Sequence, residues 1–193
     1  YVPLFLAEWP GNFVFDAKYQ IQNVIGGYYN THHPLIHTLM MGKAYEFGQR
    51  LGNVSAGYQF YTLFQMLILS SAFAYFQLYL YKRRVPKCIR ICTLIWFTVF
   101  PMHALFAISA TKDVLCAAFF LYFMIYLIRF LFDKEAFSPY AYAGMIMSGI
   151  LLSLFRNNSF YAVMATGIIL LLLGKGWKRK VVTALIFIAI FAG

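Results

Sequence analysis

From Gly57 onward the chain alternates long apolar runs with short polar breaks, and before Gly57 it does not. An unbroken apolar run of about 18 to 25 residues crosses roughly 30 Å of hydrocarbon at 1.5 Å per helical residue. Gly57–Tyr81 is the clearest run, and Ile89–Ile108 follows it after a basic turn. Val114–Phe132 is a third, with Arg129 close enough to its end to place its guanidinium among lipid headgroups. Phe137–Phe155 and Ser159–Leu173 are separated only by Arg156, Asn157 and Asn158, which predicts a tight helical hairpin, and Val181–Gly193 begins one more span.

The stretch before Gly57 carries a different pattern. After "WPGN", Val14, Ala17, Ile21, Val24 and Tyr28 recur at helical spacing, which leaves Asp16, Gln20 and Asn23 together on the opposite face. Gly26 and Gly27 end that helix. Pro34, at a first helical position, starts another, so that His33 and His37 stand four residues apart on one side. The expected fold is all-α: a polytopic transmembrane helical bundle over residues 57–193, preceded by an outward loop, residues 1–56, with two interfacial amphipathic helices.

Composition agrees with that class, because 62% hydrophobic residues with only 11% charged ones cannot give a soluble globule a polar skin. The aromatic share of 20% suits lipid-facing and interfacial surfaces, so the lipid bilayer is the expected partner of most of the chain. The sequence starts at Tyr1 and stops at Gly193 inside an apolar run, and it reads as part of a longer chain with further spans on both sides.

Lys82, Arg83, Arg84, Lys87 and Arg90 fill one break, and Lys175, Lys178, Arg179 and Lys180 fill another. Short cytoplasmic loops keep positive charge, which puts both breaks inside and residues 1–56, the Ser109–Asp113 turn and the Arg156 turn outside. The expected location is the cell membrane. The net charge of +10 then reflects topology and lipid attraction; nucleic acid is rejected as a partner, since its basic footprint needs a soluble fold to carry it. Cys88, Cys92 and Cys116 give no disulfide framework.

Taken together, an outward first loop with an acidic residue early in a surface helix, followed by "HHPL" before a second surface helix, resembles the polytopic GT-C glycosyltransferases. The protein O-mannosyltransferase and aminoarabinose-transferase branches have similar elements there. The chain is also similar to a group of uncharacterised bacterial multi-pass membrane proteins with "PG…D…Q", then "HHP", and later "SATKD". The paired acidic residues of the first loop appear here as Asp16 followed by Ala17, and "PPL" as "HPL".

What the resemblance implies is sugar transfer on the outer face, from a polyprenyl-phosphate-linked donor to an acceptor hydroxyl. Asp16 would be the general base, within hydrogen-bond reach of the nucleophile. Asp113, beside Lys112 in "SATKD", is the second acidic candidate. Arg156 has the forked donor set that suits a phosphate. His32, His33, His37 and Gln20, with Lys112, would line the cavity and bind substrate. A divalent metal ion stays open, with no ligand set assigned. Two alternatives stand beside this reading: a transporter or flippase of a lipid-linked or anionic substrate, and a non-catalytic membrane scaffold. "HPLIH" lacks the Glu of HExxH, which argues against a metalloprotease.

Overall fold

The computed structural model describes residues 1–28, 33–133, 138–174 and 176–192. His32 and Lys175 lie outside the described residues, as do positions 134–137, which include the start of the expected run Phe137–Phe155. Among the described residues the fold is all-helical, and the sole β-type pairing is an isolated bridge between Asn12 and Ser109. The helices are α1 (Val2–Ala7), α2 (Phe15–Gly26), α3 (Leu35–Arg50), α4 (Val54–Lys82), α5 (Lys87–Val99), α6 (Pro101–Ile108), α7 (Lys112–Phe132), α8 (Pro139–Phe155), α9 (Asn157–Leu173) and α10 (Trp177–Ala192). They fall into two compact units, Tyr1–Ala118 and Phe119–Gly193.

Among the described residues two helices are long and apolar enough to cross a membrane, α4 and α7, and they match the expected runs at Gly57–Tyr81 and Val114–Phe132. The side chain of Asn53 starts α4 by accepting from the Ser55 amide at 3.0 Å. The run Ile89–Ile108 departs from expectation: it is two helices, α5 and α6, bent by 49°. Proline explains the break, because Pro101 has no amide hydrogen to give and forces Phe100 into extended backbone, at φ −64° and ψ 118°. Counting that bent pair as one span gives three candidates. The hairpin runs become α8 and α9, two apolar helices of 17 residues each.

In the first unit, α2 and α3 form as expected, with a short unforeseen helix, α1, ahead of them. Gly27 ends α2 in the left-handed conformation at φ 69°, where a Cβ would be strained. Two details correct the sequence reading. Pro34 sits at the N-cap of α3 rather than inside it, so His33 precedes the helix. The polar stripe of α2 is only partly solvated: Gln20 is fully buried beside Ala17 and Ile21, Asp16 stays half-exposed, and the apolar Phe15 and Ile25 are exposed. The "WPGN" segment threads against α4 and the end of α6. The Thr62 hydroxyl donates to the Pro10 carbonyl at 3.1 Å, and Asn12 exchanges backbone bonds with Ile108 and Ala110 at 2.9 and 2.8 Å.

In the second unit, α8 and α9 meet at Arg156, and α10 packs on both. Glycines make the close approaches: Gly149 receives the Ile190 side chain and Gly167 the Phe187 ring, where an added Cβ would lie 2.7 and 2.6 Å away. Arg179 closes the end of α7 by donating to the Phe130 and Leu131 carbonyls at 3.3 and 3.2 Å.

Candidate active site

Five of the residues singled out in the sequence come together in the first unit. Asp16 lies in the first turn of α2, where an acid is favoured by the helix dipole. The Lys112 ammonium, at the start of α7, stands 3.4 Å from Asp16 Oδ2 and 3.3 Å from His33 Nδ1. An ammonium can only donate, so His33 Nδ1 accepts and that imidazole carries its hydrogen on Nε2. Lys112 keeps 18% of its side-chain exposure and Asp16 keeps 50%, which places the cation inside and the carboxylate at the rim. Tyr19 of α2 covers His33, ring to ring at 5.8 Å.

Behind this rim runs a buried polar chain. His37 reaches the Gln20 amide with Nδ1 at 2.5 Å and the Tyr61 hydroxyl with Nε2 at 2.7 Å. Tyr61 donates to Gln65 Oε1 at 3.1 Å, and Gln65 Nε2 donates to the Ala107 and Ser109 carbonyls at 2.9 and 2.8 Å. That amide clamps the turn leading into Lys112. A single chain of contacts therefore links α2, α3, α4 and the α6–α7 turn.

Burial, with the nearby Lys112 and His33 adding to it and Asp16 opposing, pushes the His37 imidazole down to about 3, so it is neutral near pH 7. A hydrogen count follows. Carbonyl acceptors fix Gln65, so the Tyr61 hydrogen goes to Gln65 Oε1 and His37 must donate from Nε2. His37 Nδ1 is then an acceptor. Gln20 meets it by turning its NH2 group inward, which also gives a partner to the buried Gln20 Nε2 that otherwise has none.

The other candidates are placed differently. Asp113 follows Lys112 on α7 but is exposed and lines a separate cavity of about 320 Å³ with Leu69, Phe73, His103, Phe106, Val114 and Ala117. Arg156 is an exposed residue of the second unit, at the junction of α8 and α9. Among the described residues no group of three or more His, Cys, Asp or Glu side chains could hold a metal ion. The sequence reading assigned no role to Tyr61 or Gln65. The signal was there: polar atoms four residues apart on one face of an otherwise apolar span need internal partners.

A protein-family model matches residues 22–193, and its description is a family of unknown function, DUF6020. No curated protein and no solved structure matches the chain.

Proposed function

This chain belongs to the DUF6020 family, and from that premise and the site's geometry we propose that it is a polytopic membrane glycosyltransferase of GT-C type, moving a sugar from a polyprenyl-phosphate donor to an acceptor on the outer face. The observation that carries the reading is the rim of Asp16, Lys112 and His33: a half-exposed carboxylate whose Oδ2 is held by a part-buried ammonium.

In this mechanism Asp16 takes the proton of the acceptor hydroxyl. The freed oxygen pair attacks the anomeric carbon, and the bond from that carbon to the donor phosphate oxygen breaks. Negative charge grows on the departing lipid phosphate, where Lys112 offers a fixed cation and His33 a ring for hydrogen bonding. Arg156, in the second unit, has the chemistry for phosphate on sequence grounds. Asp113, at the separate cavity, is left outside these steps.

A transporter is the second reading, and the observation favouring it is the broken helix pair α5–α6 beside that cavity, since interrupted helices line the paths of many transporters. The two are separated by supplying radiolabelled polyprenyl-phosphate sugar to the purified chain in proteoliposomes. The transferase reading expects label on an acceptor and free polyprenyl phosphate. Label that crosses the bilayer with its glycosyl bond intact supports the transporter, and an inert, folded protein supports the scaffold.

A further inference from the structure

The basic turn between α4 and α5 has no part in the transfer chemistry above. Four cations, Lys82, Arg84, Lys87 and Arg90, line one open cavity of about 490 Å³ together with Tyr81 and Pro86. No residue of the chain between Glu46 and Asp113 is acidic, so neither helix that meets at the turn brings a carboxylate to it.

The backbone and side chains fix this arrangement. Arg90 donates from Nε to the Val85 carbonyl at 3.1 Å, and its guanidinium lies over the Tyr81 ring at 5.1 Å, which uses one of its five N–H donors. The Arg84 amide closes the end of α4 on the Tyr81 carbonyl at 3.0 Å and leaves Arg84 in the left-handed region at φ 54°. Glycine is the ordinary residue there, so a cation is kept at a position the backbone disfavours. Beyond Pro86, the first bond of α5 runs from the Arg90 amide to the Pro86 carbonyl. The amides of Lys87, Cys88 and Ile89 therefore have no partner within the helix, and the helix start adds partial positive charge of its own.

Membrane topology asks only that a loop hold cations. It does not ask that four of them share a cavity, that one be fixed by a carbonyl and a ring, or that an arginine stand in a glycine position. Like charges gathered in this way repel one another unless an anion sits among them.

We propose that the α4–α5 turn binds an anionic phospholipid headgroup that carries two phosphates, as the headgroup of cardiolipin does. The turn lies at the end of a candidate span, the level at which headgroups lie, and the exposed Leu78, Ile89 and Ile91 beside it offer apolar surface to acyl chains. Arginine supplies forked donors to phosphate oxygens and lysine a mobile point charge, and two phosphates engage more of the four cations than one can. The donor's own phosphate is needed elsewhere. From Gln65, which holds the turn before Lys112, to Lys82, α4 runs about 25 Å. The proposal rests on the membrane placement put forward above and not on the transfer step.

The test places the full chain in phosphatidylcholine nanodiscs doped with equal parts of phosphatidylglycerol and cardiolipin, and native mass spectrometry counts the lipids that stay on the protein. Cardiolipin is expected to be retained over phosphatidylglycerol by roughly tenfold. Lys82→Gln with Lys87→Gln should abolish that preference. Lys178→Gln with Lys180→Gln removes the same formal charge from the other basic break and should leave it intact. Should the first pair fold poorly, Lys87→Gln alone should weaken the preference. Equal losses from the two pairs, or no preference in the parent, overturn the proposal. Displacement of the retained lipid by an equal amount of polyprenyl phosphate also overturns it, since the turn would then belong to the donor. A chain that does not enter plain phosphatidylcholine nanodiscs overturns the membrane placement and this site with it, whereas one that enters and retains no cardiolipin overturns the site alone.

Discussion

Both units pack helices closely at glycines, as the first does with Val24 at Gly42, but the first adds a buried polar chain between helices. In the first, polar side chains cross between helices: Gln20 to His37, His37 to Tyr61, Tyr61 to Gln65, and Gln65 to backbone carbonyls. In the second, rings and branched chains seat against glycines, as Phe187 does at Gly167 and Ile190 at Gly149. Apolar seating is the less costly solution, because it leaves no donor or acceptor that must be matched. Buried polar chains are retained where a geometry has to be held, and here the geometry held is that of Lys112 against Asp16 and His33.

The largest expected effect breaks the first unit and only strains the second. An added Cβ at Gly57 would run into the backbone carbonyl of Ala44, which cannot move without α3, whereas at Gly167 it meets a side-chain ring. Gly57→Leu should therefore abolish the folded protein, and Gly167→Leu should cost about 1 to 3 kcal/mol as an overpacked contact. Thermal unfolding in detergent measures both, and equal losses would erase the distinction drawn here.

Next comes the clamp. Gln65→Leu removes the donors to the Ala107 and Ser109 carbonyls and should cost about 1 to 3 kcal/mol. It should also free the turn before Lys112, seen as faster acylation of that amine by a water-soluble reagent. Unchanged Lys112 reactivity would detach the clamp from the site.

The smallest effect is a pH dependence confined to the first unit. His37 is held neutral in the fold down to about 3, while in the unfolded chain it takes a proton near its ordinary 6.5. The unfolded state therefore binds the extra proton first. Stability from this residue is full above pH 6.5 and is lost as pH falls from 6.5 toward 3, at up to about 1.4 kcal/mol per pH unit. Melting curves at pH 7 and pH 5.5 should differ in the parent and converge in His37→Gln.

Periodicity made much of this fold legible. Apolar run length located α4 and α7, the Gly26–Gly27 pair marked the C-terminal end of α2, and Pro34 marked the start of α3 to within a residue. Pro101 was visible too, yet run length alone treated its neighbourhood as one span, because hydropathy does not register a missing amide hydrogen. The site was legible as residue types and not as an arrangement. Lys112 and Asp16 are far apart in sequence, and only the packing of the α6–α7 turn on α4 joins them. Gln20 misled because a polar residue on an amphipathic helix is ordinarily solvated, and its burial depends on His37 supplying a partner from another helix.

The claim that matters most is that Asp16 is the reacting carboxylate of an outward site built by the first unit. Asp16→Asn keeps the volume and one acceptor oxygen but loses the basic charge. The measurement is transfer from radiolabelled polyprenyl-phosphate sugar in proteoliposomes, with each variant's thermal unfolding recorded alongside. The account predicts unfolding close to the parent's and transfer lower by roughly 10² or more. Undiminished transfer by a folded Asp16→Asn protein would contradict it.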